Sequence, residues 1–545
     1  MTEPFDTVIV GAGSAGCVLA NRLSADPTRR VMLVEAGAAA PPASTVPALW
    51  PSMLGSEVDW GFHTEPQAGC QQRRMYWPRG KMIGGSGALN AMIYMRGVPS
   101  DYDRWEAAGC PGWGWRDVLP LFRRSERNLR FGSTPWHGGD GEWAISDVAS
   151  VDPVERLWLA AAQAAGLPAN DDFNGATQAG VGLFQATIQG GERFGTARAF
   201  LAPAQARKNL VVLSGVTVLR ITFDGARASG IDFLENGRLH HVPAGSEVVL
   251  CAGAIGSPHL LLHSGIGPAD ELAALGIRPH VDLPGVGLGL QDHVNCPITF
   301  ATKQRFGIAH ATAAESAANA REWADRRSGP LASNHSACGG FVRVDPDAAD
   351  PDLQLYCIVT GHRDHARYRS PLPGIAAFSV LQRPRSQGTV KLRNADPLAA
   401  PAIDPRYFSD PGDADLSVLV EGIRLNREIL RQSPIREVLG AESELSAGAA
   451  SDAALREFIR AQCTTLYHPT STCRMGSDAL AVVDPALRVR GAEALFVADA
   501  SVFPAMVSGN TNAPVVMVAE RAADSIRRTS TLRAPHRANL PETTP

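Results

Sequence analysis

The first sixteen residues constrain the fold most. Residues 5–10, Phe-Asp-Thr-Val-Ile-Val, form a β-branched apolar run that reads as a buried strand, and it leads directly into Gly11-Ala12-Gly13-Ser14-Ala15-Gly16. Gly11 makes a tight turn, Gly13 lets the backbone approach a pyrophosphate, and Gly16 lets the following helix lie close on the strand. That helix directs its positive end at the pyrophosphate. A second strand, 30–34, ends at Glu35 and Ala36, where a carboxylate can meet a ribose hydroxyl pair. Glycines serving packing alone would require neither this order of elements nor the acid. The pattern predicts a Rossmann-like α/β domain and leaves open which dinucleotide it binds.

At 545 residues the chain exceeds one ordinary core, so at least two domains are expected. A net charge of −4 gives no electrostatic reason to expect nucleic acid as a partner. With a strand starting at Phe5, no export leader is expected, and the chain reads as cytoplasmic, free or peripheral to a membrane. The apolar stretch 494–517 is interrupted by Asp499, Pro504, Asn510, Asn512 and Pro514, so it reads as buried rather than membrane-spanning. Nine cysteines without a CxxC pair and fourteen histidines without the Cys/His spacing of a zinc site point to buried thiols and no metal. His240 and His241 read as exposed, between strands.

Further along, residues 80–90 hold a second glycine cluster, Gly84-Gly85-Ser86-Gly87, read as backbone laid against a planar ring. Residues 105–127 read as helical with Pro120 near a helix start, and 154–166 as an amphipathic helix. Strands are expected at 210–213, 216–223, 230–234 and 247–250, the last turning through glycine back onto the first sheet. Residues 299–459 change texture, with strand candidates at 353–358 and 388–392. The polar tail 529–545 reads as disordered.

Taken together, the motifs resemble the glucose–methanol–choline (GMC) oxidoreductases near their choline dehydrogenase branch. The blocks that carry the resemblance are 11–16 with Glu35, 80–97, 253–267 and 468–520. The resemblance implies non-covalent FAD, because Leu89 stands where some members attach the flavin through histidine. It implies a Rossmann-like FAD domain made of 1–150, 200–298 and 460–528. An α+β substrate domain with an antiparallel sheet would comprise 151–199 and 299–459.

It further implies that His468, in Tyr467-His468-Pro469, is the catalytic base, and that Asn510 orients the substrate oxygen. Cofactor contacts are implied for Gly11, Gly13, Ser14, Ala15, Gly16, Glu35, Ala36, Met82, Gly84, Gly85, Ser86, Asn90, Ala91, Met92, Ile93, Val216, Ala252, Asp499, Ala500, Asn510, Thr511 and Asn512. Asn512 is read as the cap of the last helix, whose N-terminus would favour negative charge on the cofactor. His335, Tyr356 and Leu466 are expected in the substrate cavity. Ala337 replaces a glutamate of choline-oxidising relatives, and Tyr356 a histidine.

The expected reaction is oxidation of a neutral primary alcohol to an aldehyde, with oxygen or a quinone-type or dye acceptor, a dehydrogenase being favoured. Competing readings are a hydroxynitrile lyase, a light-driven fatty acid decarboxylase or a non-catalytic FAD scaffold; His468 speaks against the last two. Spacing does not reveal the alcohol or the oligomeric state.

Overall fold

The computed structural model describes residues 4–345, 347–360, 365 and 370–533. Two seven-stranded sheets organise it. In the first, the strands run Leu210–Ser214, Val31–Glu35, Phe5–Val10, Arg238–Leu250, Arg227–Glu235, Thr217–Asp224, and Leu495–Val497 also pairs with Arg238–Leu250. Toward one edge Arg227–Glu235 and Thr217–Asp224 pair antiparallel; the pairs around Phe5–Val10 are parallel. Arg238–Leu250 belongs to both regimes: its start pairs antiparallel, its end parallel to Phe5–Val10. Every residue of Val31–Glu35 is buried, as expected for a strand covered on both faces.

The second sheet is antiparallel, in the order Leu439–Glu442, Val294–Thr302, Gly374–Leu381, Leu353–Ile358, Cys338–Val342, Gly180–Leu183, with Thr464–Thr465 added to Val294–Thr302. Helix Ala414–Arg431 covers it, coming so close that a Cβ on Gly422 would stand 2.8 Å from Ser379.

Several expectations are corrected. The span 105–127 is two helices, Pro99–Ala107 and Trp115–Ser125, because Gly109 and Gly112 adopt positive φ between them; Pro120 lies inside the second. His240 and His241 are exposed but lie within Arg238–Leu250. The boundary drawn at 298 falls inside Val294–Thr302, since the chain has already joined the second sheet there. The last helix runs Asn512–Arg533, so 529–533 are helical, and the rest of the expected disordered tail, 534–545, lies outside the described residues. Among the described residues no helix is long and apolar enough to cross a membrane.

Candidate active site

The two glycine loops nest against each other. A Cβ on Gly85, where φ is +52°, would stand 2.8 Å from Gly13 Cα, and one on Gly87 would stand 2.5 Å from Ser14 Oγ. Close backbone packing therefore requires glycine at Gly85, and the Ser14 hydroxyl occupies the space a Cβ on Gly87 would take, apart from any flat ligand. The Ser14 hydroxyl donates to Asn512 Oδ1 at 2.6 Å, joining the starts of helices Ser14–Leu23 and Asn512–Arg533. Asn512 is thus the first helical residue and is occupied by Ser14. Thr511, whose carbonyl accepts the first helical bond from Val515, takes the position of the cap expected at Asn512.

Beside these loops lies a cavity of about 610 Å³. Its wall includes Gly11, Gly13, Ser14, Ala15, Glu35, Ala36, Gly85, Ser86, Asn90, Ala91, Met92, Ile93, Val216, Ala252, Asp499, Ala500, Thr511 and Asn512, and also Tyr356, Leu466, His468 and Asn510. Gly16, Met82, Gly84 and His335 do not line it. Gly16 is pressed onto the first turn, where a Cβ would meet the Gly11 carbonyl oxygen at 1.9 Å. His335, in the left-handed conformation, has both ring nitrogens without a hydrogen-bond partner, and burial pushes its imidazole down to about 4. Ala337 is also behind the wall: its N–H donates to Glu155 Oε1 at 2.6 Å, and Ser336 faces the cavity instead.

The residues present fit a dinucleotide. A Cβ on Gly13 would meet only the Cys251 carbonyl oxygen, at 3.9 Å, so open space adjoins a helix N-terminus there. Glu35 accepts from Ala12 N–H at 2.8 Å and Gly37 N–H at 2.9 Å, which fixes its carboxylate at the end of its strand; burial raises it to about 6. Asp499 accepts from Gly253 N–H and the Ser257 and Ser501 hydroxyls, tying helix Gly253–His263 to the wall.

At the other end, His468 and Asn510 meet. Leu466 N–H donates to the His293 carbonyl, Gln291 and Thr470 exchange backbone bonds, and His468 N–H donates to Asp292 Oδ1 at 2.8 Å, so His468 is held against 291–293. Asn510 follows Gly509, whose N–H donates to Gln382 Oε1. Its Nδ2 lies 3.4 Å from His468 Nε2, and its Oδ1 accepts from the Tyr356 hydroxyl at 3.1 Å.

Behind His468 stands His293, with the two Nδ1 atoms 2.9 Å apart. His293 Nε2 is 3.1 Å from the Gln382 carbonyl, which can only accept, so that nitrogen carries the proton. Burial pushes His293 down to about 4, so its Nδ1 is a bare acceptor. His468 must then donate from Nδ1, which leaves Nε2 as the basic atom facing Asn510. Burial first, then His293 and the Arg79 guanidinium, hold His468 well below the ordinary histidine range. Arg79 itself donates to the Tyr467 carbonyl at 2.6 Å. The arrangement can accept a proton at His468 Nε2 and donate a hydrogen bond from Asn510 to the same small oxygen.

Sequence reasoning missed His293, Gln382 and Arg79. A signal existed for the first: Gln291-Asp292-His293 is a polar triplet at the start of an apolar strand, and all three side chains are buried.

The GMC oxidoreductase family model matches residues 5–295, and its C-terminal counterpart 384–519. An alcohol dehydrogenase [acceptor] of Pseudomonas putida is 40% identical over 534 residues, covering 96% of each chain. The mitochondrial choline dehydrogenase of Homo sapiens is 40% identical over 537 residues, 96% of this chain and 90% of that one. Among solved structures, a formate oxidase variant of Aspergillus oryzae RIB40, described for its FAD modification, superposes with TM-score 0.90 at 29% identity, covering 97% of this chain and 99% of that one. The chain belongs to the GMC oxidoreductases, and its cofactor is FAD.

Proposed function

We propose that this enzyme oxidises a neutral primary alcohol to an aldehyde. The observation that carries the reading is the 3.4 Å approach of Asn510 Nδ2 to His468 Nε2 in the wall of the cofactor cavity. His468 Nε2 takes the hydroxyl proton, and Asn510 donates to the same oxygen and holds it in place. FAD, when bound, supplies the acceptor for the α-hydrogen as hydride. It is held by the loops of Gly13 and Gly85, by Glu35, and by the N-termini at Ser14 and Asn512. Leu89, also in the wall, has no nucleophilic atom, so the flavin is non-covalent.

The neutrality of the substrate follows from the wall's acids. Among its described side chains the carboxylates are Glu35 and Asp499, both already accepting backbone N–H groups. A buried quaternary ammonium would meet no carboxylate on the wall near His468, since Asp292 lies off the wall and accepts from His468 N–H and the Tyr407 hydroxyl. Glu155 lies behind Ala337 with its carboxylate on backbone N–H groups. We favour a quinone-type or dye acceptor over oxygen; the P. putida relative is named for an acceptor without saying which.

The test is anaerobic mixing with a panel of primary alcohols and choline, following flavin absorbance, then adding a dye or oxygen. Bleaching by neutral alcohols, faster than by choline, and reoxidation by the dye are expected. No bleaching by any alcohol, with cyanide released from a cyanohydrin or alkane formed under blue light, would replace this reading with a lyase or a decarboxylase.

A further inference from the structure

Arg193 is almost wholly buried, with 5% of its surface exposed, and sits in the hairpin of Ile188–Gln189 and Glu192–Arg193. Its Nε donates to the Ser44 carbonyl at 2.7 Å, Nη1 to the Gly87 carbonyl at 3.2 Å and to Asn90 Oδ1 at 2.8 Å, and Nη2 to the Asn90 carbonyl at 2.7 Å. Every one of these acceptors is neutral. Among the described residues no carboxylate pairs with it. Glu192 points to the other side of the strand and pairs with Arg198 and Arg327.

A buried charge is normally paired, and this one is not. Gly87 and Asn90, which take three of its four hydrogen bonds, both line the cofactor cavity, so the guanidinium stands directly behind that wall. Burial without a counter-charge also pulls its pKa down to about 9. Anything that brings negative charge into the cavity relieves this imbalance. Asn90 is fixed by the same contact: its Oδ1 accepts from Arg193 and from Met92 N–H at 3.0 Å, which leaves its NH2 for the cavity.

We propose that Arg193 sets the redox poise of this enzyme: its uncompensated charge, one residue layer behind the cavity wall, favours the negative charge that reduction brings to the bound FAD. Reduction delivers two electrons and one proton, whether as hydride from substrate or from dithionite oxidised to sulfite with a proton from solvent. One net negative charge is left in the cavity in either case. The inference rests on FAD being reduced there and not on which alcohol reduces it.

The test is a reductive titration of the purified holoenzyme with dithionite against a reference dye. Arg193→Gln should lower the reduction equilibrium constant by about tenfold or more, which is ~30 mV for a two-electron couple. Arg193→Lys, which keeps the charge but loses the fork, should stay within about twofold of wild type. If Arg193→Gln does not retain FAD, Ser44→Asp adds a carboxylate at the residue whose backbone carbonyl the guanidinium Nε holds, and should produce the same fall. A wild-type potential in Arg193→Gln, or in Ser44→Asp where that variant stands in, overturns the proposal. So does an equal fall in Arg193→Lys, which would make the residue a clamp on the 87–90 loop only.

Discussion

The hydroxyl of Tyr356 donates to Asn510 Oδ1 at 3.1 Å and thereby turns the amide NH2 toward His468. Tyr356 comes from the second sheet and Asn510 from the loop before the last helix. Tyr356→Phe should leave Asn510 in place but free to flip. A hydrogen bond of about 1 kcal/mol corresponds to a loss of roughly fivefold in the rate of flavin reduction. Asn510→Ala removes the donor itself and should cost on the order of 10–100-fold. Stopped-flow reduction by one alcohol, compared across the three proteins, checks the ranking.

The His293 contact predicts a tautomer. Histidine-selective nitrogen labelling of the holoenzyme should show His468 protonated at Nδ1 and bare at Nε2 at neutral pH. His293→Gln retains an acceptor toward His468 and a donor toward the Gln382 carbonyl, so it should keep most activity. His293→Leu removes both and should lower the reduction rate on the order of 10–100-fold. Equal rates in the two variants would contradict the contact's role.

The pH dependence follows from the same burial. The pKa of His468 is pushed down by desolvation, then by His293 and Arg79; Asp292, at its backbone N–H, and the Tyr356 hydroxyl, through Asn510, also face it. The imidazole is therefore already neutral and basic at pH 7. Its reactive form is lost only as pH falls through a value below the ordinary 6.5. The rate of flavin reduction should be flat above pH 7 and decline only in acid. An acid limb centred above 6.5 would contradict this.

A buried network away from the cavity carries a stability prediction. Glu126, with no exposed surface, pairs with Arg96, and accepts from Gly138 N–H at 2.7 Å and from His137 at 3.0 Å. Although burial raises its pKa, Arg96, His137 and Gly138 outweigh that and hold it below the usual carboxylate range. Its stabilising contribution is present above the unfolded carboxylate pKa and is lost as pH falls through the depressed folded value. Glu126→Gln leaves Arg96 buried without an anion and should cost about 3–5 kcal/mol. Denaturant unfolding of the two holoenzymes measures the difference.

What was legible in the sequence was local. The strand–glycine–helix opening, Glu35 at the end of its strand, and the Tyr467-His468-Pro469 motif are written in consecutive residues. The structure brings His468 and Asn510 to one point in the cavity. The supporting contacts are not written that way. His293 reaches His468 across 175 residues of sequence, and Arg193 reaches Asn90 across 103, so no window of sequence contains either pair. The Asn512 misreading has the same origin: a helix-start asparagine reads locally as a cap, while the Ser14 hydroxyl that occupies it comes from 498 residues away. Ala337 and His335 lie one layer behind the wall, where the chain bends at His335 in the left-handed conformation, which residue type alone does not predict.

The most direct test is anaerobic mixing of a neutral primary alcohol that reduces the wild-type flavin with His468→Ala, whose FAD content is verified by absorbance. The account predicts that flavin reduction slows by at least about 100-fold, while dithionite still reduces the cofactor fully. Flavin bleaching by that alcohol at the wild-type rate in His468→Ala would contradict it.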